Sequence, residues 1–164
     1  MVVEYRADLA EDLPAVRELF EEYGRTLGID LSFQGFDKEL ATLPGKYAPP
    51  HGTVIIVRSD GTPCGCAALR RIDERTCEMK RLYVRPESRG LRVGRELVRR
   101  IIEAAEVRGY DTMRLDTLPS MKSAVSLYRS FGFQEIEPYI YNPIPGALFM
   151  EKRLQPLSTR PRFP

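Results

Sequence analysis

The apolar positions of the chain fall into two rhythms. Val2, Val3 and Tyr5 form a short run, and Leu13, Val16, Phe20 and Tyr23 follow at helical spacing. A strand and a helix are predicted there. Asp12 caps the helix, Pro14 is tolerated in its first turn, and Gly24 or Gly28 stops it. Residues 29–52 keep no steady period. Phe33, Phe36, Leu40 and Leu43 suit a short helix ahead of the turn-rich stretch 44–50. Residues 53–58, 64–71 and 77–84 read as three strands, the first two joined by a tight turn at Asp60-Gly61. In the third, Met79, Leu82, Tyr83 and Val84 break strict alternation, which predicts a β-bulge. A loop over 85–93 precedes a strong helix with Leu97, Val98, Ile101, Ile102 and Ala105 on one face and Gly109 as its stop. Residues 112–117 alternate as a strand. Ser120 caps a last helix carrying Met121, Ala124, Val125, Tyr128 and Phe131 on one face, closed by Gly132. Residues 133–136 and 147–152 make two final strands. This order predicts one α/β or α+β domain over residues 1–154, a central sheet with helices on its faces. Residues 155–164 are rich in proline, lack a period and are expected to be a disordered tail.

Composition narrows the class. The 164 residues are 43% hydrophobic and 29% charged, as in a soluble single domain. No apolar run reaches the roughly 18 residues of a membrane helix, and the acidic start is no secretory signal. Three cysteines are too few for a disulfide framework, so a reducing compartment, the cytoplasm, is expected. If the third and fourth strands form a hairpin around Asp73-Glu74, Cys77 pairs near Arg71. It then lies roughly 16 Å from Cys66. That separation is too great for shared zinc, so Cys64, Cys66 and Cys77 are expected to be small buried thiols and no metal is expected. His51 is the single histidine, so any Ser-His-Asp triad has to use it.

Net charge is only +2, but residues 80–100 hold Lys80, Arg81, Arg85, Arg89, Arg92, Arg95, Arg99 and Arg100 against Glu87 and Glu96. A local positive patch on a near-neutral chain suits a polyanionic ligand; a solvated helix face also explains several of these arginines. Nucleic-acid binding needs aromatics interleaved with the basic face, and Tyr83 alone supports it poorly. Neither a nucleic acid nor a membrane is expected as partner, and a homodimer is left open. The patch sits where a strand runs through a loop bearing Gly90 and Gly94 into a helix. Free N–H groups and the helix dipole there favour a diphosphate, with flanking arginines adding contacts. The P-loop Lys-Ser/Thr pair and the G-x-G-x-x-G of dinucleotide folds are both missing.

At this point the chain resembles a family. Arg89-Gly-Leu-Arg-Val-Gly94 is similar to the R/Q-x-x-G-x-G/A signature of the GNAT superfamily, the acyl-CoA N-acyltransferases. Leu127-Tyr128-Arg-Ser-Phe-Gly132-Phe133 resembles its L-Y-x-x-x-G-F, and the order of elements matches over roughly residues 2–154. The resemblance implies a mixed, mostly antiparallel sheet of about six to seven strands with helices on both faces. It implies acetyl-CoA as cosubstrate, its diphosphate cradled by Arg89, Gly90, Leu91, Arg92, Val93, Gly94 and Arg95. The pantetheine arm would lie along Leu82, Tyr83 and Val84, as an added strand would. Two departures stand out: Arg92 replaces the first signature glycine, and Met121 replaces an asparagine common seven residues before the tyrosine.

The resemblance also implies a chemistry, transfer of an acetyl group within a ternary complex to a primary amine of a small molecule or peptide. Glu78 lies eleven residues before Arg89, where many family members keep a catalytic glutamate acting directly or through water. It is the candidate base; the alternative is a strand carboxylate paired with Lys80, Arg71 or another cation. Tyr128 matches the tyrosine that protonates the leaving thiolate; the alternative is a core tyrosine. The N–H of Leu82 or Tyr83 is the candidate oxyanion donor. Tyr47, Tyr139 and Asn142, in aromatic and turn-rich stretches, are candidates for the acceptor pocket, against ordinary loop packing. A CoA-binding sensor with a degraded site is the alternative to an enzyme.

Overall fold

The computed structural model describes residues 2–7, 9–90 and 92–157, apart from the side chains of Leu9 and Phe33. Leu91 and most of the tail, 158–164, lie outside the described residues. Among these residues one sheet has the order β1-β2-β3-β4-β5-β7-β6. Its strands are β1 (Val3–Arg6), β2 (Thr53–Ser59), β3 (Thr62–Arg71), β4 (Thr76–Val84), β5 (Thr112–Thr117), β6 (Gln134–Ile136) and β7 (Leu148–Arg153). All neighbours are antiparallel except β4 and β5, which run parallel. Helices α1 (Leu9–Leu27) and α2 (Phe36–Ala41) precede β2; α3 (Val93–Val107) and α4 (Lys122–Ser130) flank β5. No described helix is long and apolar enough to cross a membrane.

Both sheet faces are covered, so the central strands read as nearly continuous apolar runs. Val54 and Ile56 of β2 and Cys66 and Ala68 of β3 pack with Val16, Leu19 and Phe20 of α1. The alternate residues Ile55, Val57, Ala67 and Leu69 pack with Leu97 and Ile101 of α3. Each large apolar side chain so buried contributes about 1.5–3 kcal/mol. The expected Asp60-Gly61 turn joins β2 and β3 with φ of 49° and 81°. These are the two positive φ values of a type I′ turn. Arg71 pairs with Cys77 as expected, and all three cysteines are buried thiols.

The short helix expected within 29–52 is present as α2, while two other local expectations are corrected. The first helix begins at Leu9, so Asp12 lies inside its first turn and is not the cap. Its buried carboxylate accepts from Arg6 (2.9 Å) and Arg58 (2.7 Å), joining α1 to β1 and β2. Met121, not Ser120, occupies the cap of α4, without a side-chain bond. The irregular 29–52 region holds α2 between two single 3-10 turns, Ser32–Gln34 and Gly45–Tyr47.

The predicted bulge is present. The β3–β4 register slips between Cys66 and Ala68, and Arg81 adopts φ 59°. Before it, Cys77 and Met79 pack toward α3; after it, Leu82 and Val84 do. Odd positions give way to even ones, which is the broken alternation of the sequence. The second feature is a parting of strands. β4 pairs with β5 only at Thr76–Thr112, Cys77–Met113 and Glu78–Arg114. Beyond these pairs the β5-facing backbone edge of β4 is left open.

Hydrogen bonds from Arg6 hold the Asp12 carboxyl below its ordinary value against the opposing effect of burial, and Arg58 adds to this. Its contribution to stability is complete above the unfolded value near pH 4 and drains away as pH falls through the depressed folded value. Asp12→Ala should cost about 2 kcal/mol in urea unfolding at pH 7 and much less below pH 3.

Candidate active site

Two adjoining spaces lie at the parting of β4 and β5. The larger is a groove of about 790 Å³ between β4, the loop after it, α3, α4 and α1. Its wall includes every described member of the predicted cradle: Leu82, Tyr83, Val84, Arg89, Gly90, Arg92, Val93, Gly94 and Arg95. The first intrahelical bond of α3 runs from Glu96 N to Arg92 O, so the N–H groups of Val93, Gly94 and Arg95 have no partner within the helix. No side chain caps them. Gly90 needs its freedom at φ 90°. At Gly94 an added Cβ would meet only Leu127 (3.7 Å) and Val84 (3.9 Å), so the floor of the groove stays open there for lack of a side chain.

The positive patch is smaller than the sequence suggests. Arg81 is buried against Glu39, Arg85 is held by Glu18 and Glu22, and Arg99 and Arg100 lie on Glu96. Arg89, Arg92 and Arg95 hold no carboxylate among the described residues, and all three line the groove. Arg89 Nε donates to Val84 O (3.0 Å), and Arg95 donates to Ser130 Oγ (3.1 Å) and covers the Phe131 ring. Arg92 sits at φ 58° at the head of α3, so it bears the strain of a position suited to glycine while offering its guanidinium to the groove. Tyr83 and Val93 contribute backbone: the Tyr83 hydroxyl is engaged by Glu22 (2.7 Å) and Val93 is core.

The smaller space, about 40 Å³, lies deeper in the parting. Its wall includes Gln34, Lys80, Asp116, Tyr128 and Asn142, and it shares Tyr23, Leu27, Leu82 and Met121 with the groove. Tyr128 stands edge-on to Phe133 (5.9 Å). Its hydroxyl makes no hydrogen bond among the described residues, and burial pushes its phenol well above the usual range. Asp116 Oδ2 accepts from Asn142 Nδ2 (3.0 Å), and Asn142 Oδ1 accepts from Ile144 N (3.0 Å).

Glu78 is walled off from this space. It is fully buried; Arg70 Nε donates to Oε1 (2.7 Å), the Tyr139 hydroxyl donates to Oε2, and Lys80 Nζ is 3.7 Å from Oε1. Burial alone would raise its carboxyl, but Lys80, Arg70 and the hydrogen bonds outweigh it and hold the group below its ordinary value. Burial pushes the Lys80 ammonium down, and Glu78 only partly offsets this. The acceptor candidates divide three ways. Asn142 is on the cavity wall, and Tyr139 backs Glu78 instead. Tyr47 is corrected outright: it is a core residue with no exposed surface, its hydroxyl on Glu39 (2.8 Å). Lys80 and Asp116 were not singled out for the pocket. Their trace in the sequence is polar residues alternating with Met79, Met113 and Leu115.

A family model described as Acetyltransferase (GNAT) family matches residues 13–133. The chain belongs to the GNAT family. Among GNAT relatives, an uncharacterised N-acetyltransferase of Schizosaccharomyces pombe is 49% identical over 87% of this chain and 88% of its own. An Azospirillum brasilense protein named IAA acetyltransferase is 37% identical over 85% and 91% of the two chains. The PaiA N-acetyltransferase of Thermoplasma acidophilum, solved in complex with coenzyme A, shares the GNAT fold with a TM-score of 0.72. It is 21% identical, over 93% of this chain and 99% of that one.

The double role of Arg92 gives a test with opposite signs. Arg92→Gly relieves about 1 kcal/mol of backbone strain, so the melting temperature should hold or rise. The same change removes a guanidinium from the groove and should weaken coenzyme A binding several-fold by calorimetry.

Proposed function

We propose that this GNAT chain moves an acetyl group from acetyl-CoA directly to a primary amine, both substrates being bound together. The carrying observation is that groove and inner cavity adjoin at the parting of β4 and β5, sharing Tyr23, Leu27, Leu82 and Met121, with Tyr128 on the inner wall and its hydroxyl free among the described residues. The groove suits a diphosphate-bearing ligand: free helix N–H groups, an open floor at Gly94 and three arginines that hold no carboxylate among the described residues converge on it. The open edge of β4 beyond its bulge suits an extended arm that pairs as a strand, with the N–H of Leu82 or Tyr83 as oxyanion donor.

The thioester supplies an activated acyl carbon and a thiolate leaving group. A carbon–nitrogen bond forms, the carbon–sulfur bond breaks, and the proton lost by the amine balances the thiol released. Asp116, oriented by Asn142, receives the amine and holds it near the reacting carbon. Tyr128 keeps its proton at neutral pH. Its raised phenol is a weaker acid than a thiol of ordinary value near 8.5. It therefore acts first as a hydrogen-bond donor to the developing thiolate and passes on a proton arriving from the amine. Glu78, ionised and enclosed, acts as an anchor for Tyr139 and Lys80 and not as the base.

Gly94→Trp should fill the floor of the groove and abolish coenzyme A binding by calorimetry with the melting temperature retained; unchanged affinity would overturn the cradle. Tyr128→Phe should lower kcat about 10–100-fold in a thiol-release assay while coenzyme A affinity stays within about twofold. Undiminished turnover would remove Tyr128 from the reaction.

A further inference from the structure

Two opposite charges on the wall of the inner cavity, buried Lys80 and half-buried Asp116, attract each other but form no ion pair together, and neither is closely compensated. Lys80 has only 6% of its side chain exposed. Its nearest carboxylate oxygen, Glu78 Oε1, is 3.7 Å away and already takes Arg70 at 2.7 Å. Its one hydrogen bond, to Gln34 Oε1, is 3.5 Å long, and that oxygen is engaged by Arg81 at 2.7 Å. One glutamate thus stands against two cations, and an ammonium with three donors is left poorly filled. Asp116, on the neighbouring strand, accepts only from the neutral Asn142 and holds no cation among the described residues. A buried ammonium so loosely compensated is destabilising, and Asp116 offsets it only from beyond ion-pair distance. A ligand bearing both opposite charges would compensate both groups at once.

We propose that the acceptor is a small amine that also carries a carboxylate, a free amino acid in the simplest case, with its amine on Asp116 and its carboxylate on Lys80. This rests on the acetyltransferase reading and names its substrate class. Size agrees: the cavity of about 40 Å³ has room for roughly three waters, so both poles must belong to a compact group. Charge also discriminates. A polyamine or aminoglycoside places further cations against Lys80, and a protein lysine brings no carboxylate to it.

The test is a thiol-release assay on the full chain with acetyl-CoA, comparing free amino acids with their primary amides, putrescine and a lysine-containing peptide. The free acids should exceed their matched amides at least tenfold in kcat/KM, mainly through KM. In Lys80→Met this ratio should collapse toward one, with calorimetry of coenzyme A confirming a folded protein. Should that variant not fold, the acid-to-amide ratio of the native protein decides. Coenzyme A binding together with turnover indifferent to the carboxylate, or favouring amides or putrescine, overturns the proposal and leaves the acetyltransferase reading standing. No coenzyme A binding by the native protein overturns both.

Discussion

A buried arginine in a left-handed backbone conformation governs this architecture. Arg81 interrupts β4 at φ 59° with its guanidinium almost wholly inside the protein. It is held because Glu39 accepts two of its N–H groups (2.8 and 3.1 Å), Gln34 accepts a third (2.7 Å) and the Phe36 ring lies 5.0 Å away. Buried ion pairs add little net stability over apolar packing, but breaking one is expensive. The arrangement therefore fixes a geometry more than it raises the stability of the fold. Because of it β4 changes side-chain parity midway, turns Leu82 and Val84 toward the groove, and brings Lys80 and Arg81 to the same face.

The open strand edge and the divided charge follow from that geometry. Once β4 leaves β5 after Glu78, backbone groups that a complete sheet would consume remain available. The charges nearby are sorted as well. Arg81, Arg85, Arg99 and Arg100 of the basic segment are spent on internal carboxylates, Lys80 lies on the inner cavity, and Arg89, Arg92 and Arg95 converge on the groove. The positive character of the groove therefore comes from subtraction as much as from accumulation, a distinction that net charge does not convey.

Local features were legible in the sequence. Broken alternation at Met79, Leu82, Tyr83 and Val84 marked the bulge, and the glycines and arginines of 89–95 marked one wall of the groove. Features made by distant segments were not. The isolation of Glu78 depends on Tyr139, 61 residues away, closing over it. Lys80 and Asp116 face one cavity only because their strands part, and strand parting leaves no periodic trace. Tyr47 looked like a loop aromatic because nothing local announced that α1 and α2 would enclose it. Asp12 had the spacing of a cap, but two arginines recruited it for a different purpose.

The Glu39–Arg81 contact also ties the least regular part of the chain to its most constrained strand. Ile29, Leu31 and Gln34 from this stretch line the inner cavity, and Glu39 beside them neutralises the arginine that shapes β4. A loop transplanted from another protein to change acceptor preference would have to bring a carboxylate to that place. Without it, Arg81 would be stranded and the bulge would relax. Redesign of this wall is thereby leashed: its surface is open to change, while the residue that docks it to the strand is held by Arg81.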